Sequence, residues 1–336
     1  MSDLYQVSVS PHIREGVTTQ KIMLCVIIAL MPASVFGIFN FGFHALLILL
    51  VSMLSAVLTE YVYEKLMKKP ITVSDLSAAL TGLLIGLNMP PEIYWWIPVI
   101  GSVFAIFIIK QLYGGLGQNF MNPALGARCF LLISFSKQMT DYASKGGFLP
   151  LVTRVAATTD ATSGATALAY LKNGSDFDLG ALFVGNVQGV IGETSVIALL
   201  IGAVFLLLMK VIDFRIPVVY LGTFAVLVCI TAAAKGYGNP FIFTVEELCA
   251  GGIMLGAWFM ATDYVTSPVT NNGKIIFGAV LGLLTWLFRM VGSSAEGVSY
   301  AIIFSNCLVP LIEHFTRPTA FGIVKEKKSK KEAAKT

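Results

Sequence analysis

Charge is what this chain has least of. Asp, Glu, Lys and Arg make up 12% of its 336 residues, against 56% hydrophobic residues, whereas soluble domains carry roughly 25% charged residues. So little charge cannot clothe a water-exposed surface, and the composition points to a polytopic membrane protein. Histidine is nearly absent: His12, His44 and His314 lie far apart. The five cysteines (Cys25, Cys129, Cys229, Cys249, Cys307) stand singly inside apolar segments with no CxxC pair. No metal site, cluster or disulfide framework is therefore expected. No glycine-rich loop follows a strand-like run, so the chain is not expected to bind NADH itself. Between Lys325 and Lys335 six lysines face two glutamates, a surplus of four that equals the net charge of the whole chain. The neutral remainder argues against a nucleic-acid face, and the tail reads as a basic stretch at a cytoplasmic surface. A hydrophilic lead precedes the first apolar block, so no cleavable signal peptide is expected.

What the chain has in abundance is apolar runs. A spanning helix needs about 20 mostly apolar residues, and about ten such spans are expected. They centre on Lys21–Phe39, Phe41–Tyr61, Asp75–Asn88, Ile93–Gln111, Asn122–Phe135, Ile191–Ile212, Ile216–Ala234, Glu247–Ala261, Lys274–Val291 and Gly297–His314. The third, fifth and eighth are shorter and richer in small or polar residues, as broken or re-entrant helices beside a cavity would be. Basic residues collect in alternate loops: Arg14 and Lys21; Lys65, Lys68 and Lys69; Lys210 and Arg215; Lys274; and the tail from Arg317. That asymmetry puts both termini on the cytoplasmic side.

The halves echo each other. Gly82-Leu-Leu-Ile-Gly86 in the third span recurs as Gly252-Ile-Met-Leu-Gly256 in the eighth, each followed by a proline-containing polar turn. Small-xxx-small spacing also serves plain helix packing. Five spans per repeat is odd, so a repeat would be inverted. The expected organisation is a lead (1–20), a first five-helix repeat (21–136), an extracytoplasmic polar segment (137–189), a second five-helix repeat (190–316) and a basic tail (317–336).

Within the polar segment, Asp160-Ala161-Thr162-Ser163-Gly164-Ala165-Thr166 precedes a good helix former, Ala165–Lys172, which Asn173-Gly174 would stop. With Thr162 or Ser163 as N-cap, Thr166 falls near the first turn, where the helix dipole and amide groups suit an anion such as phosphate. Read locally, a plain capped surface helix is the simpler account of the turn. Asn173-Gly174-Ser175 matches a glycosylation sequon, which a helix-stop turn explains fully. Tyr94, Trp95 and Trp96 read as an interfacial aromatic belt.

Asp160, Ser163, Gly164, Ala165 and Thr166 match, without departure, the pattern by which a flavin transferase attaches FMN to a threonine hydroxyl. Further stretches are Ser10-Pro11-His12-Ile13-Arg14, Gly114–Ala124, Gly192-Glu193-Thr194-Ser195, Thr262-Asp263 through Ser267-Pro268, and Glu296-Gly297. In order and over nearly the full length, they resemble the flavin-bearing membrane subunits of the Rnf complex and of the Na⁺-translocating NADH:quinone oxidoreductase. The short lead is more similar to the Rnf member. The resemblance implies FMN esterified to Thr166, a second non-covalent flavin (riboflavin) near Asn119 and Asn122, and electron relay coupled to Na⁺ or H⁺ movement. It also implies partner subunits that include an FMN-bearing neighbour and iron–sulfur proteins, and a bacterial-type inner membrane with Thr166 outside.

Acids at span ends are ion-pathway candidates: Glu193 first, then Asp263 and Asp75. Glu60 is a further acid of this kind. Each lies near an interface, where end-capping is the plainer role. Arg128 would balance a flavin anion or pair with one of these acids. The expected function is a membrane electron conduit of an ion-pumping ferredoxin:NAD⁺ oxidoreductase. The alternatives are the quinone-reducing homologue, or a flavin-free channel or carrier on the same scaffold.

Overall fold

The computed structural model describes residues 17–142, 166–172, 178–292 and 297–318. The lead with Arg14, the residues Asp160, Ser163, Gly164 and Ala165, the Asn173-Gly174 stop and the lysine tail lie outside them.

Among the described residues the chain is helical, without strands. Helices α1 (Thr19–Phe41) and α2 (Phe43–Leu66) are joined by Gly42 alone, whose φ of 86° suits a residue without a Cβ. Then come α3 (Ser77–Leu87), α4 (Trp96–Val103), α5 (Pro123–Ser134) and the short α6 (Ser136–Met139). Two six-residue helices follow, α7 (Ala167–Lys172) and α8 (Leu179–Val184). The rest is α9 (Val196–Leu208), α10 (Arg215–Lys235), α11 (Pro240–Cys249), α12 (Ile253–Leu255), α13 (Asn271–Met290) and α14 (Val298–Thr316).

Five of these helices (α1, α2, α10, α13 and α14) are long and apolar enough to cross a membrane. A sixth span is made if α11 and Ile253–Met260 are taken as one, bent by 68°. Four more helices are apolar but shorter: Ser77–Leu87, Trp96–Gln111, Pro123–Ser134 and Val196–Leu208. The third, fifth and eighth expected spans are thus short or broken, as their composition suggests. The sixth is shorter than its apolar run, because Ile191–Glu193 form a turn rather than helix.

The break in the eighth span has a local cause. Ala250 is extended and Gly251 has a φ of +66°, so the winding stops after Cys249. Wide turns are the unexpected feature. Phe104–Gln111, continuing α4, and Gly256–Met260, continuing α12, are π-helical, with i→i+5 bonds such as Leu112 N–H to Phe107 O at 3.1 Å.

Neighbours recur in two sets. Helix α2 holds α3 and α4, and α10 holds α11 and α13; α1 packs on α9, and α5 on α14. Glycine permits the closest approaches: a Cβ at Gly82 would lie 2.6 Å from the Met53 Cα of α2. Outward faces are apolar, as with Leu54, Ile133, Leu208 and Ile230, while the fully buried side chains include Tyr220, Phe224 and Phe277.

Candidate functional site

Two cavities lie toward opposite ends of the helix assembly. The first, of about 80 Å³, is at the end where α1 and α3 begin and α9 finishes. This end also carries the basic loops, since Lys274 Nζ bonds Asp213 Oδ2 at 2.9 Å beside Arg215. Its lining includes Ser77, Lys110, Asn119, Asn122, Trp258 and Asp263. Asn119 and Asn122, paired in the sequence reading, therefore meet Asp263 from the other half of the chain. Asn122 caps α5, its Oδ1 accepting from Ala124 N–H at 3.0 Å, while its Nδ2 donates to Met260 O at 3.4 Å. Asn119 Nδ2 donates to Met121 O at 3.0 Å. Asp263 Oδ2 accepts from the Thr266 hydroxyl at 3.2 Å. The Trp258 Nε1–H is buried without an acceptor among the described residues, a donor that a ligand oxygen would satisfy.

Lys110 enters this cavity from the π-helical turn. Its ammonium lies 2.6 Å from Glu60 Oε1 and 2.6 Å from Ser77 Oγ, and Gln111 Nε2 donates to the same Glu60 oxygen at 2.8 Å. Glu60 is fully buried. It is therefore no interfacial cap, because the turn that continues α4 delivers a cation to it inside the protein. Asp75 stays local, just before the start of α3: its Oδ1 accepts from Ser77 N–H at 2.8 Å and from the Ser77 hydroxyl at 2.5 Å, and it lines neither cavity.

The second cavity, of about 20 Å³, is at the opposite end, lined by Thr166, Gln188, Glu193, Thr194, Cys249 and Gly251 among others. Thr166 is half-buried. Its carbonyl accepts from Ala169 N–H at 2.9 Å and Tyr170 N–H at 3.3 Å, so it holds the cap position of α7 rather than a place in the first turn. With six residues α7 has little dipole, which weakens the electrostatic reason for phosphate there. Tertiary contacts hold α7 instead: Leu168 and Leu171 are buried, and Lys172 Nζ donates to Gly292 O at 2.5 Å.

Glu193 stands between that cavity and the core. Its Oε1 accepts from Arg128 Nη1 at 2.7 Å, and the same Nη1 donates to Asn88 Oδ1. Of the two partners the sequence left to Arg128, the acid is the one it meets. Gly252 lies against this carboxylate with no room for a Cβ.

A third buried pair repairs the helix break. Arg289 Nη1 meets Glu247 Oε2 at 3.1 Å and Glu247 O at 2.7 Å, while Nη2 donates to Ala250 O at 3.0 Å. Sequence reasoning missed Lys110, Arg289 and Trp258 as site or support residues. The signal for the two cations was a lone positive charge near the end of an apolar run, in the fourth and ninth spans, a costly placement without a partner.

Comparison with known proteins gives a single answer. Residues 6–322 match the family model described as NQR2, RnfD, RnfE. The chain is 46% identical over 330 residues to a subunit of the Na(+)-translocating ferredoxin:NAD(+) oxidoreductase complex of Acetobacterium woodii, covering 97% of this chain and 98% of the relative. It is 42% identical over 333 residues to the corresponding subunit of the proton-translocating ferredoxin:NAD(+) oxidoreductase complex of Clostridium ljungdahlii, covering 95% and 97%. A Haemophilus influenzae relative, again a subunit of an ion-translocating oxidoreductase complex, is 37% identical over 95% of this chain and 98% of its own.

Proposed function

The chain belongs to the NQR2, RnfD, RnfE family of multi-pass membrane proteins, and on that footing we propose that it is the flavin-bearing membrane subunit of an ion-translocating ferredoxin:NAD⁺ oxidoreductase complex. Relatives similar over nearly their full length carry that complex in their names. One observation within the chain carries the flavin reading. Asn119, Asn122, Trp258 and Asp263, far apart in sequence, line one cavity, and the Trp258 N–H there lacks an acceptor among the described residues.

These residues fit a riboflavin ring. Amide and carboxylate groups match its alternating donors and acceptors, the indole N–H offers a donor to a ring carbonyl, and Leu80, Leu84 and Phe259 supply the apolar part of the lining. Thr166 fits covalent FMN as an attachment point. Its cavity is the smaller of the two described, and in this reading the hydroxyl anchors the group and does not enclose it. When bound, the flavins supply the redox chemistry. The chain's own work is to hold them toward opposite ends of one helical frame. Lys110 sets the charge beside the first cavity and Arg128 the charge behind the second.

The basic loops collect at the first-cavity end, where α14 also finishes: Val269 N–H donates to Glu313 Oε1 at 3.0 Å, and the Thr270 and Thr316 hydroxyls bond at 2.7 Å. By the charge rule this end is cytoplasmic, with both termini, and Thr166 is extracytoplasmic. The two sets of matching neighbours read as inverted five-helix repeats, ten spans in all. Partners are the other subunits of the redox complex, including an FMN-bearing neighbour and iron–sulfur proteins, with a flavin transferase for maturation and Na⁺ or H⁺ as the ion.

The test is flavin fluorescence of the band that survives SDS electrophoresis. In cells that express the flavin transferase the wild-type chain is fluorescent, and Thr166→Ala is dark at equal folded yield. A dark wild-type band would remove the flavin reading and favour a flavin-free carrier on the same scaffold.

A further inference from the structure

A run of buried residues in contact, most of them polar, joins the two cavities. Glu193 lines the Thr166 cavity and accepts from Arg128. Arg128 also donates to Asn88, whose Nδ2 donates to Leu84 O at 2.6 Å and lies 3.9 Å from Met260 Sδ. Met260 O accepts from Asn122, which lines the other cavity. Glu193, Arg128, Asn88, Met260 and Asn122 are each at most 6% exposed. The line passes between the halves of the chain at Glu193–Arg128 and again on either side of Met260, beyond the bend of the eighth span.

We propose that Glu193 is the ligand of one sodium-sized monovalent cation in the cavity beneath Thr166, and that Arg128 is the tethered cation that competes for the same carboxylate. Three observations carry this. First, the cavity, about 20 Å³, has room for one body the size of a water molecule. An occupant ion would be stripped of its shell and held by the protein.

Second, the lining is chemically suited to a hard cation. Among the lining residues, Glu193 carries a carboxylate, Thr166 and Thr194 hydroxyls and Gln188 an amide, and Gly189 and Gly251 bring backbone close. It abuts the 68° break in the helix pair, where backbone groups leave the helical ladder, and such breaks form ion sites in membrane proteins. Gly252 keeps the carboxylate pressed against that break, since a Cβ there would collide with it.

Third, Arg128 has somewhere to go. Its Nη1 already serves two acceptors, Glu193 and Asn88. When a mobile cation takes Glu193, the guanidinium keeps the Asn88 oxygen as an acceptor but loses its counter-charge, so the exchange is costly unless negative charge reaches it from elsewhere. The guanidinium then rests on Asn88, which contacts Met260, the residue whose carbonyl accepts from Asn122. Negative charge arriving in the first cavity therefore favours cation entry in the second, and the linkage is reciprocal.

The site deepens the ion-translocation reading above. Its test uses no flavin chemistry, so the flavin reading and this one can fail separately. Equilibrium binding of ²²Na⁺ is measured at pH 8 on the full chain in detergent. Arg128→Gln is expected to bind Na⁺ roughly tenfold or more tightly than wild type, the effect of removing one like charge a few ångströms away. Glu193→Gln, and Arg128→Gln combined with Glu193→Gln, lose the binding. Unchanged affinity in Arg128→Gln, or binding that survives in Glu193→Gln, overturns the proposal. Should Arg128→Gln fail to fold, wild type against Glu193→Gln decides. Na⁺ in place of K⁺ raises the melting midpoint of the wild type and leaves that of Glu193→Gln unmoved, and equal responses overturn the proposal.

Discussion

Two cations are buried near the ends of apolar segments far apart in the chain, Lys110 after α4 and Arg289 in α13, and the two do different work. Arg289 in α13 is bound by a carboxylate and by the carbonyls of Glu247 and Ala250, lies over the Phe224 ring at 5.3 Å, and lines neither cavity. It satisfies backbone groups that the break between α11 and α12 leaves exposed. Among the described residues the Lys110 ammonium bonds only to side chains, those of Glu60 and Ser77, and Lys110 lines the first cavity. A forked, planar guanidinium suits the first task and a compact ammonium the second. Similar charge placement in two halves thus yields a structural repair in one and a ligand-facing charge in the other.

The largest effect should come from Arg289→Met. It strands a buried carboxylate and two carbonyls and should cost about 3–5 kcal/mol, read as a collapse of folded yield in fluorescence-detected gel filtration. Lys110→Met should cost about 3 kcal/mol, the low end of the same range, because it strands one carboxylate and no backbone carbonyl and Gln111 still donates to Glu60. Combining it with Glu60→Leu should recover most of the loss in thermal unfolding. Equal damage from the two single changes, or no recovery in the double, would break the comparison. Gly252→Ala should cost about 1–3 kcal/mol by overpacking and push Glu193 off Arg128. Gly222→Ala, where a Cβ meets open space, is its control.

The smallest effect lies in the loop between α9 and α10. Partial burial opposes ionisation of Asp213. Hydrogen bonds from Lys274 and from the Arg215 backbone, with both positive charges, outweigh it and hold the carboxyl below its usual range. A depressed carboxylate contributes stability above its unfolded pKa and loses it as pH falls through the folded value. Asp213→Asn should therefore lower the melting midpoint at pH 7 by an amount worth at most about 1 kcal/mol. The difference should shrink as pH falls through the depressed folded value and vanish once the carboxyl is protonated in both states.

Much of the fold was legible because lipid-facing helices must be apolar along their whole length. The long runs became α1, α2, α10, α13 and α14 with ends close to those expected. The glycine-rich runs became short or broken helices. The sixth span was overestimated because Ile191 and Gly192 are apolar or small yet belong to the turn that brings Glu193 to the break. Glu60 read as an interfacial cap because distance along the chain suggested depth, whereas its burial depends on Lys110, far along the sequence. Asn119, Asn122 and Asp263 were legible one by one. Their convergence was not, since it depends on how α5 meets the bent pair.

The widened winding of Phe104–Gln111 has a consequence for how the gene tolerates length changes. Wide winding amounts to a residue inserted into a helix and absorbed locally, without lengthening it. Deleting one residue from a regular buried helix turns everything beyond it by roughly 100° and scrambles every later contact. Deleting Ile108 should instead cancel the surplus and let the segment rewind as ordinary helix. Lys110 and Gln111 would keep their partners. Here the chain can lose a codon and keep its register; the same cut in the middle of α10 would not be forgiven.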